Sequence, residues 1–209
     1  MRRFIIGITG ASGAIYARRV IQAITAAECR VELVASPNGR RLVFDELDMK
    51  RLDADALSDG RGELVTIHAD NDVGGALGSG SFMHDGMAIV PCSANTLARV
   101  SVGVTDNQLQ RAACVALKER RPLILAHRES PLSLTEIEAM RTVTLAGAVV
   151  LPLAPGFYLK PRTIDELVDF MAARILDLLK VPHSLSRRWD EHRDAERAER
   201  SAARTLPLQ

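Results

Sequence analysis

Arg3-Phe4-Ile5-Ile6-Gly7-Ile8-Thr9-Gly10-Ala11-Ser12-Gly13-Ala14-Ile15-Tyr16 is the stretch that decides the fold. An apolar, β-branched run breaks off at small residues, and a helical spacing follows. The stretch reads as strand, tight loop, helix. Gly10 and Gly13 let the backbone turn and approach a ligand closely. The unpaired N–H groups at a helix start favour an anion, and Thr9 and Ser12 add hydroxyls. A phosphorylated cofactor is the expected occupant. Glycine-rich turns of this kind serve many ligands, among them the nicotinamide dinucleotides of short-chain dehydrogenases. That reading needs a further glycine near Tyr16 and an acidic residue after the second strand to hold a ribose. Here the second strand, Arg30-Val31-Glu32-Leu33-Val34-Ala35, runs into Ser36-Pro37-Asn38-Gly39 with no carboxylate at its tip. No Tyr-x-x-x-Lys occurs in the chain.

Outward from this stretch the same alternation repeats. Strand-like runs cover Phe4–Thr9, Val31–Ser36, Met87–Pro91, Leu123–His127 and Ala148–Leu151. Helical spacing covers Ala14–Ala27, Arg40–Glu46, Asn95–Val102 continuing into Asn107–Glu119, Ser133–Leu145 and Thr163–Lys180. Such alternation predicts an α/β fold: a Rossmann-like (flavodoxin-like), doubly wound parallel sheet with helices on both faces. Ligands of such sheets sit beyond the carboxyl ends of the strands, and the small, hydroxyl-bearing and charged residues fall there. They are Gly10–Gly13, Ser36, Cys92–Thr96, His127–Pro131 and the segment through Gly156-Phe157-Tyr158. Residues 60–86, rich in glycine, form a long connection of functional character. Residues 1–189 read as one domain, and 190–209 as a charged C-terminal tail.

The 209 residues suit a single core, and 47% hydrophobic with 25% charged residues is ordinary for a soluble domain. A net charge of +1 and 4% aromatic content give no footing for nucleic acid. No membrane span or signal peptide is visible, so a cytoplasmic location is expected. Cys29, Cys92 and Cys114 are not a disulfide framework, and the five histidines lack metal-ligand spacing, so no metal site is expected. Cys92 follows a strand but has no partner base nearby, so it reads as a packed residue rather than a nucleophile.

Taken together, Thr9-Gly10-Ala11-Ser12-Gly13-Ala14, Ser79-Gly80-Ser81, Pro91-Cys92-Ser93, Asp106-Asn107, Arg111-Ala112-Ala113, Leu117-Lys118-Glu119-Arg120, Arg128-Glu129-Ser130-Pro131 and Gly156-Phe157-Tyr158 resemble the UbiX family of flavin prenyltransferases. The resemblance extends from Arg3 to Trp189. It implies transfer of a dimethylallyl group from dimethylallyl phosphate to N5 and then C6 of reduced FMN, without a metal. The prenylated FMN so made serves a separate UbiD-type decarboxylase. The resemblance assigns FMN binding to Gly10, Ala11, Ser12, Ser36, Ser93, Ala94, Asn95, Thr96 and Arg128. It assigns the donor phosphate to Lys118, Arg128, Tyr158 and Arg174. It gives Ser12 and Glu129 the proton transfers at N5, and aligns Glu46 with an acid supplied by a neighbouring subunit. A closed homo-oligomer, typically a dodecamer, is implied as well.

The chemistry agrees with these residue types. An ionising allylic phosphate needs fixed cations around its leaving group and no attacking water. Arginine forks and a lysine supply such cations. Taken alone, Lys118 and Arg174 read as surface ion pairs, Ser12 as a helix N-cap, and Glu46 as a solvated helix carboxylate. Two departures from the family pattern stand out. Ser36-Pro37-Asn38-Gly39 replaces the commoner Ser-Lys-Ala-Ala. Leu134-Thr135-Glu136-Ile137-Glu138-Ala139-Met140 replaces a segment with Ile-His-Leu-Glu-Asn-Met, which is expected to change packing more than chemistry. Pro91-Cys92-Ser93-Ala94-Asn95-Thr96 also resembles a motif of flavin-dependent cysteine decarboxylases, whose Pro-x-Met-Asn-x-x-Met-Trp segment has no counterpart here. A non-catalytic FMN-binding partner subunit is the third reading.

Overall fold

The computed structural model describes residues 1–185. Six strands form one parallel sheet: β1 (Arg3–Ile8), β2 (Arg30–Ala35), β3 (Val65–His68), β4 (Gly86–Cys92), β5 (Leu123–His127) and β6 (Val149–Pro152). Their order is β3-β2-β1-β4-β5-β6. The chain leaves β1 towards one edge and later returns to its other side at β4. The strand order therefore reverses between β1 and β4, and a crevice opens above that point. The doubly wound fold is as expected.

Among the described residues seven α-helices cover the sheet: α1 (Ala14–Ala26), α2 (Pro37–Leu47), α3 (Ala54–Ser58), α4 (Ala94–Ser101), α5 (Gln108–Lys118), α6 (Leu134–Leu145) and α7 (Ile164–Leu179). Alternation along β1 divides the core. Phe4, Ile6 and Ile8 pack with Val20, Ile24, Ile175 and Leu176 of α1 and α7. Ile5 points the other way, with Met87, Ile89, Leu97 and Leu109 beneath α4 and α5. Gly7 is small because α5 presses on it: a Cβ there would lie 3.1 Å from Leu109 Cδ1.

Two parts of the sequence reading are corrected. Among the described residues the sheet has six strands rather than five, because β3 lies inside the glycine-rich connection in which no strand was expected. It is a four-residue edge strand whose Thr66 and Ile67 are exposed, so it carries no continuous apolar run. The connection is built in elsewhere too. Leu77 is fully buried, and Arg111 Nε donates to the Gly78 carbonyl at 3.2 Å. α2 begins at Pro37, three residues before the predicted start, because Ser36 caps it and proline suits the first helical position. The predicted tail at 190–209 and the boundary at Trp189 lie outside the described residues. No described helix is long and apolar enough to cross a membrane.

Candidate active site

The carboxyl ends of β1 and β4 are fastened by one side chain. The buried Thr9 hydroxyl donates to the Pro91 carbonyl at 2.8 Å and accepts from Ser93 N at 2.8 Å. Beside this clasp lies an open cavity of about 960 Å³. Three helices start at its wall, and each is capped by its own side chain. Ser36 accepts from Gly39 N at 3.1 Å, Ser93 from Thr96 N at 3.4 Å, and Asn107 from Gln110 N at 2.9 Å. The wall also carries Gly10, Ala94, Asn95 and Glu129. α2 crosses very close over the end of β1. A Cβ on Gly39 would lie 2.3 Å from the Ile8 carbonyl oxygen, and one on Gly10 would lie 2.6 Å from Asn38 Cβ.

The start of α1 differs from the sequence expectation. Gly13, at φ 123°, is its N-cap and provides no side chain. Glu46, near the end of α2, supplies the anion instead. Its carboxylate accepts from Gly13 N at 2.9 Å and from Ala14 N at 2.7 Å. The place where a dinucleotide fold holds its phosphates is thus filled by the chain's own carboxylate. This corrects the expectation that the α1 terminus awaits a ligand anion. It also corrects the N-cap reading of Ser12, whose side chain does not cap α1. Glu46 lies against its own chain's loop, whereas the resemblance implied a neighbouring subunit as its recipient.

Arg128 and Glu129 follow β5 directly. Arg128 Nε donates to the Ser12 carbonyl at 3.3 Å, and its Nη1 stands 4.0 Å from Glu129 Oε1. Ser12, Glu46, Arg128 and Glu129 therefore gather around one loop. Tyr158 lies between β6 and α7, edge-to-face with Phe170, ring centroids 5.7 Å apart. Lys118 and Arg174 do not join them. Lys118 ends α5, paired with Glu119 and beside Gly80, about 16 Å along the helix from the cavity wall at Asn107. Arg174 stands on the exposed side of α7, 3.3 Å from Asp177 Oδ2 and about 15 Å along that helix from its start.

The cavity also has residues that the sequence reading missed: Arg40, Asp70, Asn71, Arg99 and Gln110. Burial raises the Asp70 carboxyl above its usual range, against the Leu109 N–H bond and nearby Arg40. Arg99 is paired with Asp106. Burial pushes the Cys92 thiol up to about 12, so it is protonated at neutral pH and a poor nucleophile. Among the described residues no cluster of His, Cys, Asp or Glu is arranged to hold a metal.

Comparison with known proteins adds to this geometry. The flavoprotein family model matches residues 1–176. A flavin prenyltransferase UbiX of Thauera aromatica is 40% identical over 196 residues, covering 94% of this chain and 98% of its own. The crystal structure of AnUbiX (PadA1) in complex with FMN and dimethylallyl pyrophosphate superposes with a TM-score of 0.83. It is 38% identical and covers 90% of this chain and 97% of its own. A dodecameric FMN-dependent UbiX-like decarboxylase of Escherichia coli O157:H7 gives 0.79 at 36% identity, covering 90% of this chain and 98% of its own. The Staphylococcus aureus epidermin biosynthesis protein EpiD, 18% identical with a TM-score of 0.53 over 78% of this chain and 90% of its own, shares the fold alone.

Proposed function

The chain belongs to the UbiX family of flavin prenyltransferases, and from that premise we propose that it joins the dimethylallyl group of dimethylallyl phosphate to reduced FMN. The observation that carries this reading is the meeting of Ser12, Arg128 and Glu129 beside a cavity with the right donors for a flavin mononucleotide. The cavity is large enough, and its hydroxyl and amide caps suit a phosphate and a polyol chain. With α1 closed by Glu46, the phosphate falls to Ser36, Ser93, Ala94, Asn95 and Thr96. Gly10, Ala11 and Arg128 complete the flavin contacts.

Bound reduced FMN supplies two nucleophilic positions, N5 and C6. The C–O bond of the donor would break with phosphate taking the electron pair, the allylic carbon would bond N5 as the N5 proton leaves, and closure at C6 would add one proton to the prenyl double bond and release the C6 proton. The chain contributes proton handling and charge. Glu129, relayed through the Ser12 hydroxyl, accepts the N5 proton. Glu46 holds the Ser12 loop by taking the Gly13 and Ala14 N–H groups. Arg128 faces both ligands. Lys118, Tyr158 and Arg174 are assigned to the departing phosphate, and the exposed helix positions of Lys118 and Arg174 support their reaching it across a contact between copies.

A closed homo-oligomer, a dodecamer as in the E. coli relative, is the assembly we infer. The outer faces of α6 and β6 support it, since Leu134, Leu145 and Val149 are 72%, 73% and 41% exposed. We place the protein in the cytoplasm, with its prenylated FMN passed to a UbiD-type decarboxylase. The test is incubation with reduced FMN and dimethylallyl phosphate, followed by mass analysis of the flavin. A flavin heavier by one C5H8 unit, with release of phosphate, is expected. Unmodified flavin with one phosphate-bearing donor remaining would refute the reading. Oxidative decarboxylation of a C-terminal cysteine peptide would favour the decarboxylases that share the fold.

A further inference from the structure

His127 is the last residue of β5 and is 2% exposed. Its Nδ1 lies 2.9 Å from the carbonyl oxygen of Cys92, its register partner at the end of β4. Its Nε2 lies 3.4 Å from Oε1 of Glu136, in the first turn of α6. Neither Nε2 nor that oxygen has another hydrogen-bond partner among the described residues. Donation from Nδ1 satisfies the carbonyl, and Nε2 then faces the Glu136 carboxylate across 3.4 Å.

The other oxygen of Glu136 is engaged, accepting from Ser133 N at 2.9 Å and Ser133 Oγ at 2.7 Å in a capping box. Those two bonds hold its carboxyl below the usual carboxylate range. The Cys92 carbonyl also accepts from Arg128 N at 3.3 Å. One buried imidazole therefore joins the ends of β4 and β5 to the start of α6.

Between His127 and Glu136 runs the loop that carries Arg128 and Glu129. It has little else to hold it. Among the described residues the Arg128 side chain reaches only the Ser12 carbonyl and its neighbour Glu129, and Glu129 accepts from its neighbour Ser130 at 3.1 Å. The couple closes this loop at its base and lowers the conformational entropy of the segment between. We propose that His127 and Glu136 are positioning residues that brace the Arg128–Ser133 loop against the cavity. The idea rests on the proposed function only for its effect on rate.

The experiment uses the FMN-loaded oligomer with His127→Ala, Glu136→Leu, Glu136→Gln and the double variant His127→Ala/Glu136→Leu. Backbone hydrogen exchange over Arg128–Ser133 is expected to rise about tenfold in His127→Ala and Glu136→Leu, the signature of a freed local segment. Glu136→Gln keeps the capping box and a polar partner for the ring, and restores most of the protection. Single-turnover adduct formation at saturating FMN should fall by about tenfold in the two disruptive variants, because a small misplacement of Arg128 and Glu129 is felt in the chemistry. The double variant should be no worse than either one, since each already removes the brace.

Unchanged exchange over Arg128–Ser133 in both disruptive variants, or losses that multiply in the double variant, would overturn the proposal. If His127→Ala does not fold, Glu136→Leu against Glu136→Gln decides. If the parent protein makes no adduct, the functional reading fails while the exchange comparison still decides the brace.

Discussion

Around the start of α1, Glu46 and Arg128 come from different elements and meet within one chain, tied by bonds of 2.7–3.3 Å to the backbone of the loop that carries Ser12, and Glu129 stands 4.0 Å from Arg128. The cations assigned to the donor phosphate are built otherwise. Lys118 ends α5 and Arg174 lies out on α7, each paired with a carboxylate of its own helix or the residue after it. The first group sits at the carboxyl ends of strands, where a doubly wound sheet gathers loops. The second sits along helices, whose exposed faces are available to another copy. Under the proposed function, the fold of one chain builds the flavin-facing half of the site, and assembly completes the phosphate-facing half.

The strongest way to test the first half is Glu129→Gln. If Glu129 takes the N5 proton, adduct formation slows by about 10²–10⁴-fold, with FMN binding retained. An unchanged single-turnover rate would remove Glu129 from the chemistry. The second half responds differently. Arg174→Ala loses a charge-assisted bond to phosphate, and the donor KM should rise about ten- to a hundredfold while FMN affinity moves little. Equal loss for both ligands would place Arg174 at the flavin and erase the division. The smallest effect concerns the scaffold. Gly39→Ala forces a Cβ against the Ile8 carbonyl and lifts α2 off β1, at a cost of about 1–3 kcal/mol in thermal or denaturant unfolding. Since α2 carries Glu46, the folded variant should also show faster exchange at Gly13 and Ala14.

The strand–loop–helix start, the parallel sheet and the crevice were legible because apolar runs and glycine punctuation are local. The strand β3 was not, because an edge strand of four residues with two exposed in a row has no period of its own. Ser36 and Ser93 were legible as hydroxyls following strands. Glu46 could be singled out only through the resemblance, and its actual partner could not be. The bond to Gly13 spans 33 residues and exists only once α2 has folded back over β1. Arg40, Asp70 and Arg99 were missed for the same reason. Each looks like a solvated charge until the sheet brings its segment to the crevice.

The most direct test of the account mixes two inactive variants. Glu129→Gln damages the half built within a chain, and Lys118→Ala the half contributed by a neighbour. If each site takes Glu129 from one copy and Lys118 from another, subunit exchange between the two inactive oligomers restores intact sites. At equal mixing, about a quarter of the parent activity should return in a symmetric assembly with two-chain sites. Activity that stays at the level of the separate variants after verified subunit exchange would contradict the division and return Lys118 to a role within its own chain.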